Sequence, residues 1–301
     1  MDYELIIVGA GPAGLSAALS AAYYKLKTVV FESASAGGSP INSYPWKKVD
    51  EFLGHKNILG HEVARSMVEH VLAEGASIRE NEAVEDVKRK EGMLEVTTKN
   101  GAYACKAVIL AIGLGVPRKL GIQGEGLQGV IYSLPKPSDY RGKRVVVVGG
   151  GDTALENALA LRENGATVCL VHRGDKFRAK DTTVKKIAES GISCSMNTEV
   201  EAIAGSRTVE KLMLKDGSEL KADCALLSLG TVPNKDFLER AGVKLSEKNN
   251  IIVDQQMRTS IQGIFAAGDV TGRWIRIPNA IGEGGFAGLN AFKYVKNPYW
   301  A

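Results

Sequence analysis

Two glycine clusters carry the spacing that could do chemistry. Gly9-Ala-Gly11-Pro12-Ala13-Gly14 follows the apolar run Glu4-Leu-Ile-Ile-Val8, and Gly149-Gly-Gly151-Asp152-Thr153-Ala154 follows Lys143-Arg-Val-Val-Val-Val148. A strand, a glycine turn and a helix together offer backbone N–H groups and a partial positive charge to a phosphate. By itself such a run is weak evidence, because a glycine turn can serve helix packing alone. Context strengthens the first copy. An Ala-rich helical segment around Leu15 to Leu26 leads into Thr28-Val-Val-Phe-Glu32, which sets a carboxylate where a dinucleotide-binding βαβ unit accepts ribose hydroxyls.

The second copy repeats the plan, with a helix to about Glu163 and a strand Thr167-Val-Cys-Leu-Val-His172. Where the acid would stand it has His172-Arg173, with Arg178 following. Guanidinium groups make forked hydrogen bonds to a 2′-phosphate, and no acid opposes one, so NADP(H) is expected over NAD(H). The other reading is that these arginines line a solvated edge. Both copies have matching tails: Thr98-Lys-Asn-Gly101 and then Val108-Ile-Leu-Ala-Ile-Gly113 in the first, Lys215-Asp-Gly217 and then Ala225-Leu-Leu-Ser-Leu-Gly230 in the second. Each tail reads as a hairpin turn followed by an apolar strand that ends in glycine.

A third strand of this type, Ile264-Phe-Ala-Ala-Gly268-Asp269, lies too far from the second copy to belong to it. Its short carboxylate can hold a hydroxyl of a flavin's ribityl chain. The expected architecture is α/β, with two Rossmann-like, three-layer ββα domains, the second inserted into the first. Residues 1–114 and 236–301 would form one dinucleotide-binding domain and residues 115–235 the inserted one. Between the repeats, His61 to Gly75 places Val63, Met67, Val71 and Leu72 on roughly one helical face, a core-packing stripe.

The remaining features narrow the class. The chain has 301 residues, is 45% apolar and has a formal charge of +4, without the basic runs of a nucleic-acid binder. No apolar run is long enough to span a bilayer, and the opening lacks an export signal, so a cytoplasmic location is expected. Cys105, Cys169, Cys194 and Cys224 lie far apart with no C-x-x-C spacing, and they read as buried structural thiols, although a distant pair could meet in space. No metal site is visible.

Taken together, Gly9 to Gly14, Ala111-Ile-Gly113, Gly149 to Ala154, His172-Arg173 through Phe177-Arg178-Ala179, Gly230-Thr-Val-Pro-Asn234 and Gly268-Asp269-Val270 resemble the low-molecular-weight thioredoxin reductase superfamily. The resemblance implies FAD on the first unit, NADPH on the second, Asp269 at the ribityl chain and a homodimer. It also implies that the Val84 backbone meets the adenine. The Gly282-Glu-Gly284 helix start would face the flavin ring, where a helix dipole favours the charge of reduced flavin; an ordinary glycine-rich cap is the plainer reading.

The departures from that family bear on function. Ser133 and Lys136 stand where thioredoxin reductases carry a C-x-x-C pair, and without thiols there is no dithiol relay. Loop length and Pro137 instead resemble the ferredoxin-NADP reductase branch, which also lacks the pair. So does Gly37-Gly38 followed by Tyr44-Pro45-Trp46-Lys47; in that branch the tyrosine stacks on the isoalloxazine ring, whereas Tyr44 as a loop anchor is the alternative. Arg173-Gly174 replaces the family's Arg-Arg, which weakens the NADP preference. The segment Tyr299-Trp300-Ala301 is shorter than the branch's flavin-covering tail, and Trp300 either reaches a flavin or is a docked end.

The expected function is hydride exchange between nicotinamide C4 and flavin N5, followed by stepwise one-electron transfer to an acidic ferredoxin or flavodoxin. No protein acid, base or nucleophile is required. Lys47, Lys48, Lys56 and Lys136 are candidates for docking such a carrier. The rivals are an NAD(P)H-dependent disulfide- or peroxide-linked oxidoreductase and a non-catalytic flavin-binding redox sensor.

Overall fold

A computed structural model describes residues 1–297, so Tyr299 and Trp300 lie outside the described residues. The chain divides into two compact units, one formed by Met1–Val116 together with the chain from Val232 onward, the other by Pro117–Thr231.

The first unit is built on a five-stranded parallel sheet ordered Ile264–Ala266, Ala107–Leu110, Leu5–Val8, Thr28–Phe31, Ser77–Arg79. The central strand Leu5–Val8 is wholly buried, which explains its unbroken apolar run: both faces of a parallel sheet are covered. Leu5 and Ile7 face a cluster that includes Leu15, Ala17 and Ala18 of the helix Pro12–Tyr23 and Ala287 and Ala291 of the helix Ile277–Lys296. Ile6 and Val8 face the opposite cluster, with Val87, Leu94 and Val96 of an antiparallel sheet formed by Val84–Lys90, Met93–Thr98 and Gly101–Cys105. The layers are therefore antiparallel sheet, parallel sheet and helices.

The two long helices approach closely because their shared face is small. A Cβ on Gly284 would stand 2.0 Å from the Ala13 carbonyl oxygen, and the Ser16 hydroxyl donates to the Ile281 carbonyl at 2.7 Å. The first helix spans Pro12–Tyr23 rather than residues 15 to 26. Proline suits an initial turn, having no N–H to leave unpaired, and the chain has left the helix by Lys25, at φ 55°. In the helix Gly60–Ala73, Val63 and Val71 are buried and Met67 packs against the core, but Leu72 is half exposed. Leu72 is nine residues from Val63, and at about 3.6 residues per turn that is two and a half turns, the opposite face.

The second unit repeats this plan. Its parallel sheet runs Val130–Ile131, Cys224–Leu227, Arg144–Val148, Thr167–His172, Ser193–Met196, beside an antiparallel sheet of Val200–Ala204, Lys211–Leu214 and Glu219–Lys221. The helix Asp152–Glu163 follows the glycine loop. One difference is topological. The outer strand beside Ala107–Leu110 in the first unit comes from after the second unit, whereas its counterpart Val130–Ile131 comes from just before that unit's glycine loop.

Candidate functional site

In the first unit the strand Leu5–Val8 delivers the chain into a turn that only glycine fits. Gly9 has φ 100°, and a Cβ there would stand 2.4 Å from the Ala111 carbonyl oxygen; one on Gly14 would stand 1.8 Å from the Gly9 carbonyl oxygen. Strand, neighbouring strand end and helix thus converge on bare backbone. Gly11 caps the helix without a side-chain hydrogen bond, Pro12 follows, and no acid lies in the first turn, so no side chain covers the first N–H groups near Ala13. Gly38 leans on this turn at φ 65°, where a Cβ would meet Gly11 Cα at 2.7 Å. The arrangement can cradle an anion such as a pyrophosphate.

Glu32, at the end of Thr28–Phe31, is 8% exposed. Its carboxylate accepts from the amides of Ala10 at 2.8 Å and Ala34 at 2.9 Å and from the Ser33 hydroxyl at 3.1 Å. It fastens the glycine loop and keeps lone-pair capacity for a further hydroxyl. Val84 begins the strand Val84–Lys90 at a register irregularity, and Gly113 lies past the end of Ala107–Leu110 at φ 66° with open space at its Cβ position.

Asp269, far from Tyr44 in sequence, lies close enough for its charge to act on the tyrosine. Burial foremost, and then the Asp269 charge, push the Tyr44 hydroxyl up to about 12. Burial, and then the Glu283 charge, push the Asp269 carboxyl up to about 6. Asp269 opens a single 3-10 turn, Asp269–Thr271, after Gly268, whose Cβ position lies 2.7 Å from Ala13 Cβ. Sequence reasoning missed Glu283 as a separate part. It accepts from the Gly268 amide at 2.8 Å and the Thr271 hydroxyl at 3.0 Å and so clips the Asp269 turn to the last helix. Only its place between two glycines marked it, and no spacing connects it to Gly268.

The expected helix start at Gly282-Glu283-Gly284 is corrected. The helix begins at Ile277, with Pro278 in its first turn, so residues 282–284 lie in the second turn, where amides bond within the helix. Gly284 is a packing glycine against Ala13, and Gly282 has open space at its Cβ position. The helix's first turn is at 277–280, where Pro278 has no N–H and the Ala280 amide donates to the Arg276 carbonyl at 3.0 Å, which leaves Ile277 and Asn279 to offer theirs; Pro278 was the available sequence signal.

In the second unit Gly149 meets the Ser228 carbonyl oxygen as Gly9 meets that of Ala111, again with 2.4 Å to a built Cβ. Gly151 caps the helix without a side-chain bond, Asp152 accepts from the Lys180 amide at 2.9 Å, Thr153 is exposed and Ala154 is buried. Arg173 and Arg178 are both exposed, and the Arg178 amide donates to the Gly150 carbonyl at 2.7 Å. Gly230 is exposed at φ 80° and accepts from the Arg118 amide at 3.0 Å. His172, expected among the phosphate ligands, is instead buried beneath the loop. A Cβ on Gly150 would fall 2.3 Å from its ring, and its Nε2 lies 3.0 Å from the Lys176 carbonyl oxygen. A carbonyl only accepts, so Nε2 carries the hydrogen and His172 supports the loop.

The thiols are placed unfavourably for redox chemistry. Burial pushes Cys105 up to about 12 and Cys224 up to about 11, away from the reactive thiolate. Cys169 and Cys194 lie on neighbouring parallel strands, but Cys169 pairs in register with Ser193 and Leu170 with Cys194, so the two thiols point to opposite faces. Cys194 is exposed rather than buried, as its strand lies at the sheet edge. Ser133 precedes the fully buried Leu134, and Lys136 lies 3.5 Å from Asp139. Just after Tyr44, Lys48–Val49 and Ile58–Leu59 form a small antiparallel hairpin that exposes Lys48, Lys56 and Leu53, with Lys47 half-buried at its base.

Comparison with known proteins defines the class. The family model described as pyridine nucleotide-disulphide oxidoreductase matches residues 3–284. The chain belongs to that family and is a flavin-dependent oxidoreductase that uses a pyridine nucleotide. It is 36% identical over 305 residues to a ferredoxin–NADP reductase of Ignicoccus hospitalis, covering 99% of each chain. It is also 36% identical over 306 residues to a thioredoxin reductase of Treponema pallidum, covering 98% of this chain and 97% of that one. Among solved structures, T. acidophilum thioredoxin reductase matches with a TM-score of 0.84 at 33% identity, covering 97% of this chain and 98% of that one.

Proposed function

We propose that this chain is an FAD-containing NADP(H) reductase that passes electrons to a small acidic one-electron carrier, a ferredoxin or flavodoxin, without a redox dithiol. The observation that carries the reading is the presence of Ser133 and Lys136 at the position of a redox pair, with the Cys105 and Cys224 thiols buried and held far from thiolate. When bound, the flavin takes a hydride from the nicotinamide and gives up single electrons.

The chain's residues hold and tune. Gly9, Gly11, Ala13, Gly14 and Gly38 cradle the FAD pyrophosphate, Glu32 accepts from the ribose and Val84 offers backbone to the adenine. Asp269, steadied by Glu283, accepts from a ribityl hydroxyl. Tyr44 stays an uncharged phenol at neutral pH and offers a flat face that excludes water from the ring system. The helix end at Ile277, in place of Gly282 and Gly284, turns its uncovered amides and positive dipole end toward the charge of the reduced ring. In the second unit, Gly149, Gly151 and Thr153 serve the NADP pyrophosphate, Arg173 and Arg178 serve the 2′-phosphate, and His172 props the loop from below.

The hairpin after Tyr44 presents Lys48 and Lys56 beside the flavin-facing residue, which suits an acidic carrier. No helix among the described residues is long and apolar enough to cross a membrane. We further propose that the chain works as a homodimer in the cytoplasm. Steady-state NADPH oxidation with ferredoxin, flavodoxin or thioredoxin as sole acceptor tests the central reading. Rapid turnover with either one-electron carrier supports it, and turnover with thioredoxin alone overturns it.

A further inference from the structure

The strand Thr167–His172 of the second unit ends beside a cavity of about 360 Å³, lined by Arg173, Asn197, Thr198, Glu199, Lys215 and Asp216. In a doubly wound nucleotide-binding sheet, the residues just after the second strand read the 2′ position of the adenosine ribose. A role for this cavity in nucleotide choice rests on the reading of the second unit as the pyridine-nucleotide unit.

Two backbone bonds fix which side chains share the cavity. The Thr198 amide donates to the His172 carbonyl at 3.4 Å and the Asn197 amide to the Gly174 carbonyl at 3.1 Å, so Arg173 stands between two ties to the opposite wall. Asn197 turns the chain there at φ 55° and delivers Glu199 to the same wall. Glu199 is not alone: Lys215 Nζ donates to its Oε2 at 2.6 Å, and the Lys215 amide donates to its carbonyl at 2.9 Å. Its carboxyl is held below the usual range by Lys215 first, with Arg173 adding to the effect. Asp216 is occupied in its own turn, accepting from the Ser218 amide at 2.9 Å and hydroxyl at 2.6 Å. The buried Thr198 hydroxyl, with the Asp216 carboxylate nearby, makes no hydrogen bond of normal geometry.

We propose that Glu199 sets how strongly this chain prefers a 2′-phosphorylated nucleotide: its carboxylate lines the same cavity as the Arg173 guanidinium, so a 2′-phosphate drawn there meets a resident anion while a 2′-hydroxyl does not. Gly174 follows Arg173 and adds no charge, and the one other cation lining the cavity, Lys215, is already bonded to Glu199. The chain therefore discriminates between NADPH and NADH less than its two arginines alone would dictate. Glu199 is a specificity residue acting through Arg173, and the hydride chemistry does not involve it.

The test uses the flavin-loaded full-length chain, titrated calorimetrically with 2′,5′-ADP and with 5′-AMP. Glu199→Gln keeps an acceptor for Lys215 and removes the charge. It is expected to tighten 2′,5′-ADP by about three- to tenfold and leave 5′-AMP within about twofold. In an Arg173→Ala background most of that gain should vanish, because the two side chains act as a coupled pair. Equal changes for both probes, or a gain that keeps its full size without Arg173, would overturn the proposal. If the unaltered chain binds neither probe, the reading of the unit fails and this inference with it; if it binds both and Glu199→Gln changes neither, this inference alone fails.

Discussion

The two glycine loops share a backbone plan and differ in what lies under and beside them. In both, the first glycine meets a carbonyl oxygen of the next strand at the same 2.4 Å to a built Cβ, and in both the helix starts on an uncapped glycine. Beneath the first loop lies Glu32, a buried carboxylate bonded to the Ala10 amide; beneath the second lies His172, a buried ring pressed on Gly150. The third loop position also differs. A Cβ on Gly14 would stand 1.8 Å from the Gly9 carbonyl oxygen, whereas the second loop carries a real Cβ there, that of Ala154, 2.9 Å from where one on Gly149 would fall. One fold thus accepts either a carboxylate or an imidazole beneath its loop, and in the second unit Arg173 and Arg178 lie exposed after it.

Exchanging the third residue breaks this comparison most severely. Gly14→Ala drives a Cβ into a backbone oxygen that cannot move aside, with an expected cost of about 3 kcal/mol or more and loss of retained flavin. Ala154→Gly removes only a methyl group and stiffens the unfolded chain less, at about 1 kcal/mol. Thermal melts of the two variants, read with flavin absorbance, should separate widely; equal shifts would mean the loops are not distinguished in this way.

The residues beneath the loops give the next largest effect. Glu32→Gln sets an amide NH2 among groups that all donate, at an expected cost of about 1–3 kcal/mol and weaker FAD binding. His172→Ala should raise the KM for NADPH and NADH by similar factors, since a prop serves both nucleotides. A rise confined to NADPH would return His172 to the set of 2′-phosphate ligands.

Much of this was legible in the sequence for a physical reason. The paired strand–glycine–helix runs survive because buried parallel strands need unbroken apolar residues, and the turn between strand and helix admits almost nothing but glycine at Gly9 and Gly14. The hairpin turns at Gly101 and Gly217 were legible for the same cause, a positive φ at each. What stayed hidden depends on partners distant in the chain. His172 reads as a phosphate ligand until Gly150 is seen against its ring. Glu283 reads as one residue of a glycine-rich helix start until it is seen to hold the Gly268 amide. The helix start itself was misplaced because the glycine pair at 282 and 284, which serves packing, outweighed Pro278.

Smaller effects come from the Asp269 carboxylate. The raised Asp269 value means the folded apoprotein binds its proton more tightly than the unfolded chain, whose aspartate titrates near 3.8. Its contribution to apoprotein stability is therefore complete below that value and is lost as pH rises toward about 6. A ribityl hydroxyl donating to Asp269 favours the charged form, so FAD affinity should increase as pH rises through about 6, and Asp269→Asn should flatten that rise. Apoprotein titrations with FAD at acid and neutral pH check both the sign and the residue.

The smallest expected change concerns the hairpin after Tyr44, which the second unit does not duplicate. Lys48→Glu with Lys56→Glu should slow carrier reduction by about three- to tenfold at low salt and by little at high salt, with flavin reduction by NADPH untouched. A carrier rate independent of both charge and salt would remove the hairpin from the docking surface.

The most direct measurement is an anaerobic stopped-flow experiment on flavin-loaded protein whose accessible thiols have been alkylated. NADPH is added first, and then oxidised ferredoxin, flavodoxin or thioredoxin in separate runs. NADPH should bleach the flavin, its colour should return on mixing with ferredoxin or flavodoxin despite alkylation, and thioredoxin should leave it bleached. Flavin that NADPH does not bleach, or colour that returns with thioredoxin alone, would contradict the proposed function.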